Sequence, residues 1–122
     1  MAYDEATAVR VRKILAGRRG VVEKAMMGGL SFMVDGNMAC SVSGKGGMLI
    51  RVGPDAMDVA LKEPHAELAK MGPMVMKGFI RVQPEGYRTD AALRKWVDRG
   101  VAFAASLPAK RAKAKAKKSK KS

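Results

Sequence analysis

The chain has 122 residues, with 24 Lys and Arg against 11 Asp and Glu, one histidine and one cysteine. That length accommodates one domain with an ordinary hydrophobic core, and the lone Cys40 excludes an internal disulfide. Asp4 and Glu5 stand where a secretory signal would be apolar, and no apolar run is long enough to cross a bilayer, so a soluble cytoplasmic protein is expected.

Asp4 is an expected N-cap for a helix running to Leu15 or Ala16, with Ala8, Val11, Ile14 and Leu15 on one face and Gly17 just past its end. Residues 21–27 read as extended, since two valines open the run and two glycines close it. Residues 30–34 and 38–42 are two further short strands, and Ser43-Gly44-Lys45-Gly46-Gly47 is a turn leading into a strand over 48–52. Gly53-Pro54-Asp55 marks a helix start, with proline at the first helical position, and Pro64 requires that helix to finish by Glu63. From His65 to Met76 the pattern allows either a short helical turn or an edge segment. Phe79 to Val82 is another strand. Thr89 caps a last helix whose Leu93, Trp96, Val97, Val101 and Ala104 share one face, and Pro108 ends it. The order α-β-β-β-β-α-β-α predicts an α+β fold with a mainly antiparallel sheet flanked by helices.

The stretch Met26-Met27-Gly28-Gly29-Leu30-Ser31-Phe32-Met33-Val34-Asp35-Gly36-Asn37-Met38-Ala39-Cys40 holds two candidate signals for chemistry. Asp35-Gly36 between apolar strands is a hairpin signal, because glycine accepts the positive φ of a tight reversal. A two-residue loop would pair Phe32 with Ala39 and leave both faces partly apolar. A three-residue loop, Asp35-Gly36-Asn37, places Leu30, Phe32, Val34, Met38, Cys40 and Val42 on one face, so a bulged or longer turn is favoured. Gly28-Gly29 then separates two strands. A phosphate-binding glycine loop needs a helix amino terminus behind it, and neither this pair nor Ser43–Gly47 is followed by one. Cys40 reads as a small buried hydrophobe. A cysteine nucleophile would need His65, the only histidine, as its partner.

Lys24-Ala25-Met26-Met27-Gly28-Gly29-Leu30-Ser31-Phe32, followed by Asp35-Gly36-Asn37-Met38-Ala39, resembles the signature of the TfoX/Sxy amino-terminal domain family. That signature reads K-M-F-G-G-L-x-F and then N-G-x-M-A. The likeness continues through Arg51-Val52-Gly53-Pro54, Met76-Lys77-Gly78-Phe79 and Trp96-Val97, and covers about residues 1–108. Ala25 and Met27 depart from the Lys and Phe often found there. The resemblance implies a fold like that of the secretion chaperones, an antiparallel sheet with packed helices. Longer members are associated with regulation of natural competence and carry a second, helical domain where this chain has a lysine-rich tail. The resemblance supplies no catalytic residues.

Eight of the 24 basic residues lie in the last thirteen positions, which contain no acid, leaving 16 basic against 11 acidic residues before them. These eight are Lys110, Arg111, Lys113, Lys115, Lys117, Lys118, Lys120 and Lys121. Such a composition cannot form a core, so a domain over 1–108 and a disordered tail over 109–122 are expected. The tail suits electrostatic attachment to nucleic acid; a bland alternative is a solubilising segment. A sequence echo runs from Leu49-Ile50-Arg51-Val52-Gly53-Pro54-Asp55 to Phe79-Ile80-Arg81-Val82-Gln83-Pro84-Glu85. It reads as shared strand-to-turn grammar, or, if the strands are neighbours, as an anion patch of Arg51 and Arg81. Met71, Met74 and Met76 read as packing rather than a soft-metal site. Asp55, Asp58, Glu63 and Glu67 show no pairing around a cleft, and no zinc spacing exists. No catalytic residue, metal or cofactor is assigned.

The expectation is a non-enzymatic, nucleic-acid-associated or transcription-regulatory accessory protein whose tail binds DNA or RNA non-specifically. Its body would meet a protein partner or a second copy, and no membrane. The alternative is a protein-interaction or oligomerisation module with a merely solubilising tail.

Overall fold

Asp4 starts the chain's first element by giving a helix end its missing acceptor. Its carboxylate accepts from the Ala6 N–H at 3.1 Å and from the Thr7 hydroxyl at 2.7 Å, and helix α1 (Glu5–Leu15) follows. The computed structural model describes residues 4–26, 29–44, 46–71 and 73–108. Four strands come next, β1 (Val21–Met26), β2 (Gly29–Val34), β3 (Asn37–Val42) and β4 (Met48–Arg51). A 3₁₀ turn at Pro54–Ala56 leads into a short helix α2 (Met57–Leu61), then β5 (Ala66–Met71) and β6 (Met74–Val82). A second proline-led 3₁₀ turn, Pro84–Tyr87, precedes helix α3 (Asp90–Ser106), whose N-cap Thr89 accepts from the Ala92 N–H at 3.1 Å.

The fold is α+β, as expected. The segment from His65 to Met76 resolves into the edge strand β5 and the start of β6. All six strands form one antiparallel sheet in the order β1-β2-β3-β4-β6-β5. The chain leaves β4, crosses through α2 to the far edge, and returns as β6 into the space beside β4.

The register sorts the side chains. Leu30 opposes Val42, Phe32 opposes Cys40, Cys40 opposes Ile50, and Ile50 opposes Ile80, so these residues share one face. They form one buried cluster with Ala8, Val11 and Leu15 of α1, Ala60 of α2, and Leu93, Trp96, Val97, Val101 and Ala104 of α3. All three helices therefore cover the same face of the sheet. Burial of these aliphatic side chains, each contributing about 1.5–3 kcal/mol, supplies the main drive for folding.

The β2–β3 hairpin has the expected bulge, but a two-residue loop in place of the three-residue one. Val34 pairs with Asn37, and the loop is the two residues Asp35 (φ 51°) and Gly36 (φ 84°), which suits a tight primed turn. The register then shifts between Phe32 and Met33, leaving Ala39 as the extra residue of a bulge. The bulge restores Cys40 opposite Phe32, so turn chemistry and apolar alternation are both satisfied. Met38 consequently pairs with Met33 on the opposite face, and Asn37 moves out of the loop into the ladder, where it is buried.

Packing requires a glycine where α3 meets the sheet. A Cβ on Gly100 of α3 would lie 2.2 Å from the Ala39 carbonyl oxygen, so the helix rests directly on the bulged strand.

Candidate functional site

With every helix on one side, the opposite face of the sheet carries none among the described residues. Its composition follows from the register. Lys24 opposes Ser31, Ser31 opposes Ser41, Ser41 opposes Leu49, and Leu49 opposes Arg81, which opposes Glu67. One row of side chains thus crosses all six strands. The next row holds Val22, Met33 and Met38 on β1–β3 and the pair Arg51 and Phe79 on β4 and β6. Ser31 and Ser41 are buried, and the Ser31 hydroxyl has no hydrogen-bond partner among the described residues. Val22 is 60% exposed.

The backbone register puts Arg51 and Arg81 on this side of adjacent strands, but the Arg51 guanidinium lies against α3. The two copies of the sequence echo run antiparallel about Ile50 and Ile80, so equivalent residues fall on a diagonal rather than side by side. The guanidinium groups accordingly turn toward opposite strand ends. Arg51 stacks on Phe79 and on Phe103 of α3, at 5.7 and 5.4 Å from the ring centroids, within cation–π range. Arg81 donates through Nη2 to the Gly46 carbonyl. Glu67, at the sheet edge, accepts from the Gln83 side chain.

On the helix side, α2 and the second half of α3 enclose an apolar groove of about 380 Å³, lined by Val52, Val59, Ala60, Ala102 and Phe103 with Arg99 at its wall. The wall is set by Glu63, which accepts from Lys95 Nζ at 3.0 Å and from Arg99 Nη2 at 2.9 Å. These two cations hold the Glu63 carboxyl below the usual carboxylate range. The Arg99 guanidinium lies 4.7 Å from the Trp96 ring. Its Nη1 is buried without a hydrogen-bond partner among the described residues, and the stack on the indole offsets part of that loss.

The other sequence candidates are distributed as follows. Cys40 is fully buried on the core face of β3, and burial pushes its thiol up to about 12. His65 is exposed at the turn before β5 (φ 66°), with β4 and β6 between its strand and that of Cys40, so no Cys–His pair is assembled. Gly29 opens a strand, and Gly46 and Gly47 precede one, so neither glycine segment presents a helix terminus to an anion. Met74 and Met76 lie on β6, Met74 being exposed. Asp55 and Asp58 are exposed on the 3₁₀ turn and α2. The tail residues Lys110, Arg111, Lys113, Lys115, Lys117, Lys118, Lys120 and Lys121 lie outside the described residues, as do Met27, Gly28 and Lys45. No helix among the described residues is long and apolar enough to cross a membrane.

Sequence reasoning missed the groove, because its walls come from the 52–60 segment and from α3, which no local pattern joins. It also missed the crossing row. The alignment of Ser31 and Ser41 with Lys24 and Arg81 depends on strand order.

A family model described as the TfoX N-terminal domain matches residues 13–104. No match is found among curated proteins or among solved structures.

Proposed function

The chain belongs to the TfoX N-terminal domain family, and from that premise we propose that it is a non-enzymatic, nucleic-acid-associated protein working in a transcription-regulatory setting. The segment 109–122 holds DNA or RNA without sequence preference, and the folded body meets a partner. One observation carries this reading: eight Lys and Arg with no acid in the last thirteen residues, behind a body whose surplus is only five. Lysines alternating with alanines neutralise phosphates but bring no ring to stack on bases and no fixed geometry for base edges. Neutralising six to eight phosphates gives a slope of log K against log salt of about −5 to −7.

Gel shifts of the intact chain and of a chain lacking residues 110–122, across a salt series, test the proposal. The expected result is steep, salt-sensitive binding that the shortened chain loses. Equal binding by both, or none by either in dilute buffer, refutes it.

A second reading is favoured by the apolar groove between α2 and α3, where Val59 is 61% exposed. On that reading the body is a protein-interaction module, and the basic segment keeps it in solution. It predicts no nucleic-acid binding to lose.

A further inference from the structure

The geometry points to a phosphate-binding cleft on the helix side of the body: Arg10, Lys13 and Arg94, gathered between α1 and α3, take backbone phosphates of a nucleic-acid duplex. This deepens the proposed association with nucleic acid and rests on that reading for the class of ligand.

The cleft follows from how α1 lies on the fold. Ala8, Val11 and Leu15 are buried in the core, so Arg10, Lys13 and Ile14 fall together on the neighbouring flank, three and four residues apart. That flank meets the start of α3. The two helices enclose a cavity of about 170 Å³ lined by Arg10, Lys13, Ile14, Asp90 and Arg94.

Arg10 is anchored in a way that leaves most of its guanidinium open. Its Nη2 donates to the Tyr87 carbonyl at 2.9 Å and to the Arg88 carbonyl at 3.0 Å, just before α3 begins, and reaches Asp90 at 3.4 Å. All three contacts use one nitrogen. Nε and Nη1 have no acceptor among the described residues. The Asp90 contact is the longest of the three, and its carboxylate side chain is 97% exposed, so it neutralises Arg10 only weakly. A guanidinium already fixed at one nitrogen loses little further freedom when its other donors meet a phosphate.

Charge selects the occupant. Lys13 and Arg94 are exposed, and neither has an ion-pair partner among the described residues. Three cations therefore share the cleft with one acid. Arg10 also borders a second cavity, of about 250 Å³, that continues toward Arg88. The acids there are Asp4 and Glu85, and the Asp4 carboxylate is already taken by the Ala6 N–H and the Thr7 hydroxyl. Glu5 and Asp98, the other acids of α1 and α3, line neither cavity.

A free phosphate gains little from exposed cations that water and salt screen. A duplex carries one charge per about 1.7 Å of its axis and releases condensed counterions at each contact, so a few such contacts add up to affinity. The described lining between α1 and α3 holds no aromatic ring on which a base would stack. That favours the duplex, which is denser in charge, over a single strand.

The test uses the full-length chain, intact and with its eight carboxy-terminal Lys and Arg replaced by Gln, together with a labelled duplex and one strand of it alone. The tail-neutralised chain is expected to bind the duplex in low salt, and the single strand more weakly. In that background Lys13→Gln with Arg94→Gln lowers the slope of log K against log salt by about 1.8. Arg10 is left in place because it also ties the Tyr87 and Arg88 carbonyls to α1. Lys24→Gln with Lys70→Gln, an equal loss of charge on β1 and β5, leaves the slope unchanged. Amide shifts in the unmutated chain titrated with the duplex move at 10, 13, 14, 90 and 94, independently of any variant's folding.

If those amides stay still while the intact chain binds in a tail-dependent way, the inference is wrong and the tail reading stands. If the tail-neutralised chain binds as well as the intact one, and loses binding through Lys13→Gln with Arg94→Gln, the tail reading is wrong and this one stands. Equal losses from the cleft pair and from Lys24→Gln with Lys70→Gln overturn it, because total charge then accounts for the binding. Inorganic phosphate that moves the cleft amides where the duplex leaves them still overturns it as well. No binding by either chain in low salt overturns both readings.

Discussion

Replacing Gly100 by alanine sets two large effects against each other. Helix propensity alone favours the change, because glycine inside a helix costs about 1 kcal/mol relative to alanine. Packing opposes it. The added Cβ would lie 2.2 Å from the Ala39 carbonyl oxygen, 3.0 Å from its carbon and 3.5 Å from Ile50 Cγ2. Carbon–oxygen contacts settle near 3.3 Å, so helix and strand must separate by about 1 Å. The obstacle is backbone at a bulge and cannot rotate aside. Overpacking of this kind costs about 1–3 kcal/mol, and backbone obstruction places this case at the upper end. The net expectation is a loss of about 2 kcal/mol once the propensity gain is subtracted. Urea unfolding followed by the fluorescence of Trp96, the only tryptophan and a buried one, measures it. With a denaturant slope of 1–2 kcal/mol per molar, the midpoint falls by about 1–2 M. Ala102→Gly, exposed on the same helix, is the matched control and loses only the propensity term of about 1 kcal/mol. A rise in the midpoint of Gly100→Ala would show that α3 does not rest on Ala39, and the one-sided stacking argument would fail with it.

The remaining expectations concern two titratable side chains. The Cys40 thiol, pushed up to about 12 by burial, stays unreactive toward an aromatic disulfide in mildly alkaline buffer until urea opens the core; prompt stoichiometric labelling of the folded chain would contradict the burial. Glu63, held below the usual carboxylate range by Lys95 and Arg99, stabilises the fold above the pH at which an unpaired Glu titrates and loses that contribution as pH falls through its own lowered pKa. Melting temperatures of the parent and Glu63→Gln should therefore differ at neutral pH and converge in strong acid; a gap that persists there would rule the ion pairs out as its source.

Much of the architecture was legible because local signals agreed with the tertiary ones. Asp4 and Thr89 cap their helices through their own side chains, and the apolar stripe of α3 is the one its spacing implies. The hairpin was harder because two signals disagreed. Asp35-Gly36 called for a two-residue loop, and apolar alternation called for three. A bulge at Ala39 satisfies both, and nothing in the local sequence places it. Strand β5 was obscure because it is an edge strand with Glu67, Leu68 and Lys70 exposed, which weakens the alternation. The need for glycine at position 100 comes from its neighbour across the interface, the Ala39 carbonyl, which no local pattern shows. For the site, the Arg51–Arg81 echo was readable, but its diagonal placement follows from antiparallel pairing. The crossing row depends on β6 lying between β4 and β5.

The body's surplus of five charges is what remains after its acids are paired, and the pairs are not spread evenly over it. Among the described contacts, Glu23 pairs with Arg12, Asp90 with Arg10, and Glu63 with Lys95 and Arg99. Each of these pairs joins a helix to a helix, to the strand face beneath it, or to the segment that follows one. The core-face parity of Glu23 turns its carboxylate toward α1, while Lys24, the next residue, turns the other way. Of the two acids on strands, Glu23 faces the helices and Glu67 the other side. The described ion pairs thus gather on the helix side of the sheet. Surface pairs of this type contribute little to stability, so their main consequence is how they distribute charge over the body. Neutralising the eight cations beyond Pro108 removes eight of the thirteen net charges and leaves these pairs as they are, so an effect of that change on nucleic-acid binding belongs to the segment and not to the body.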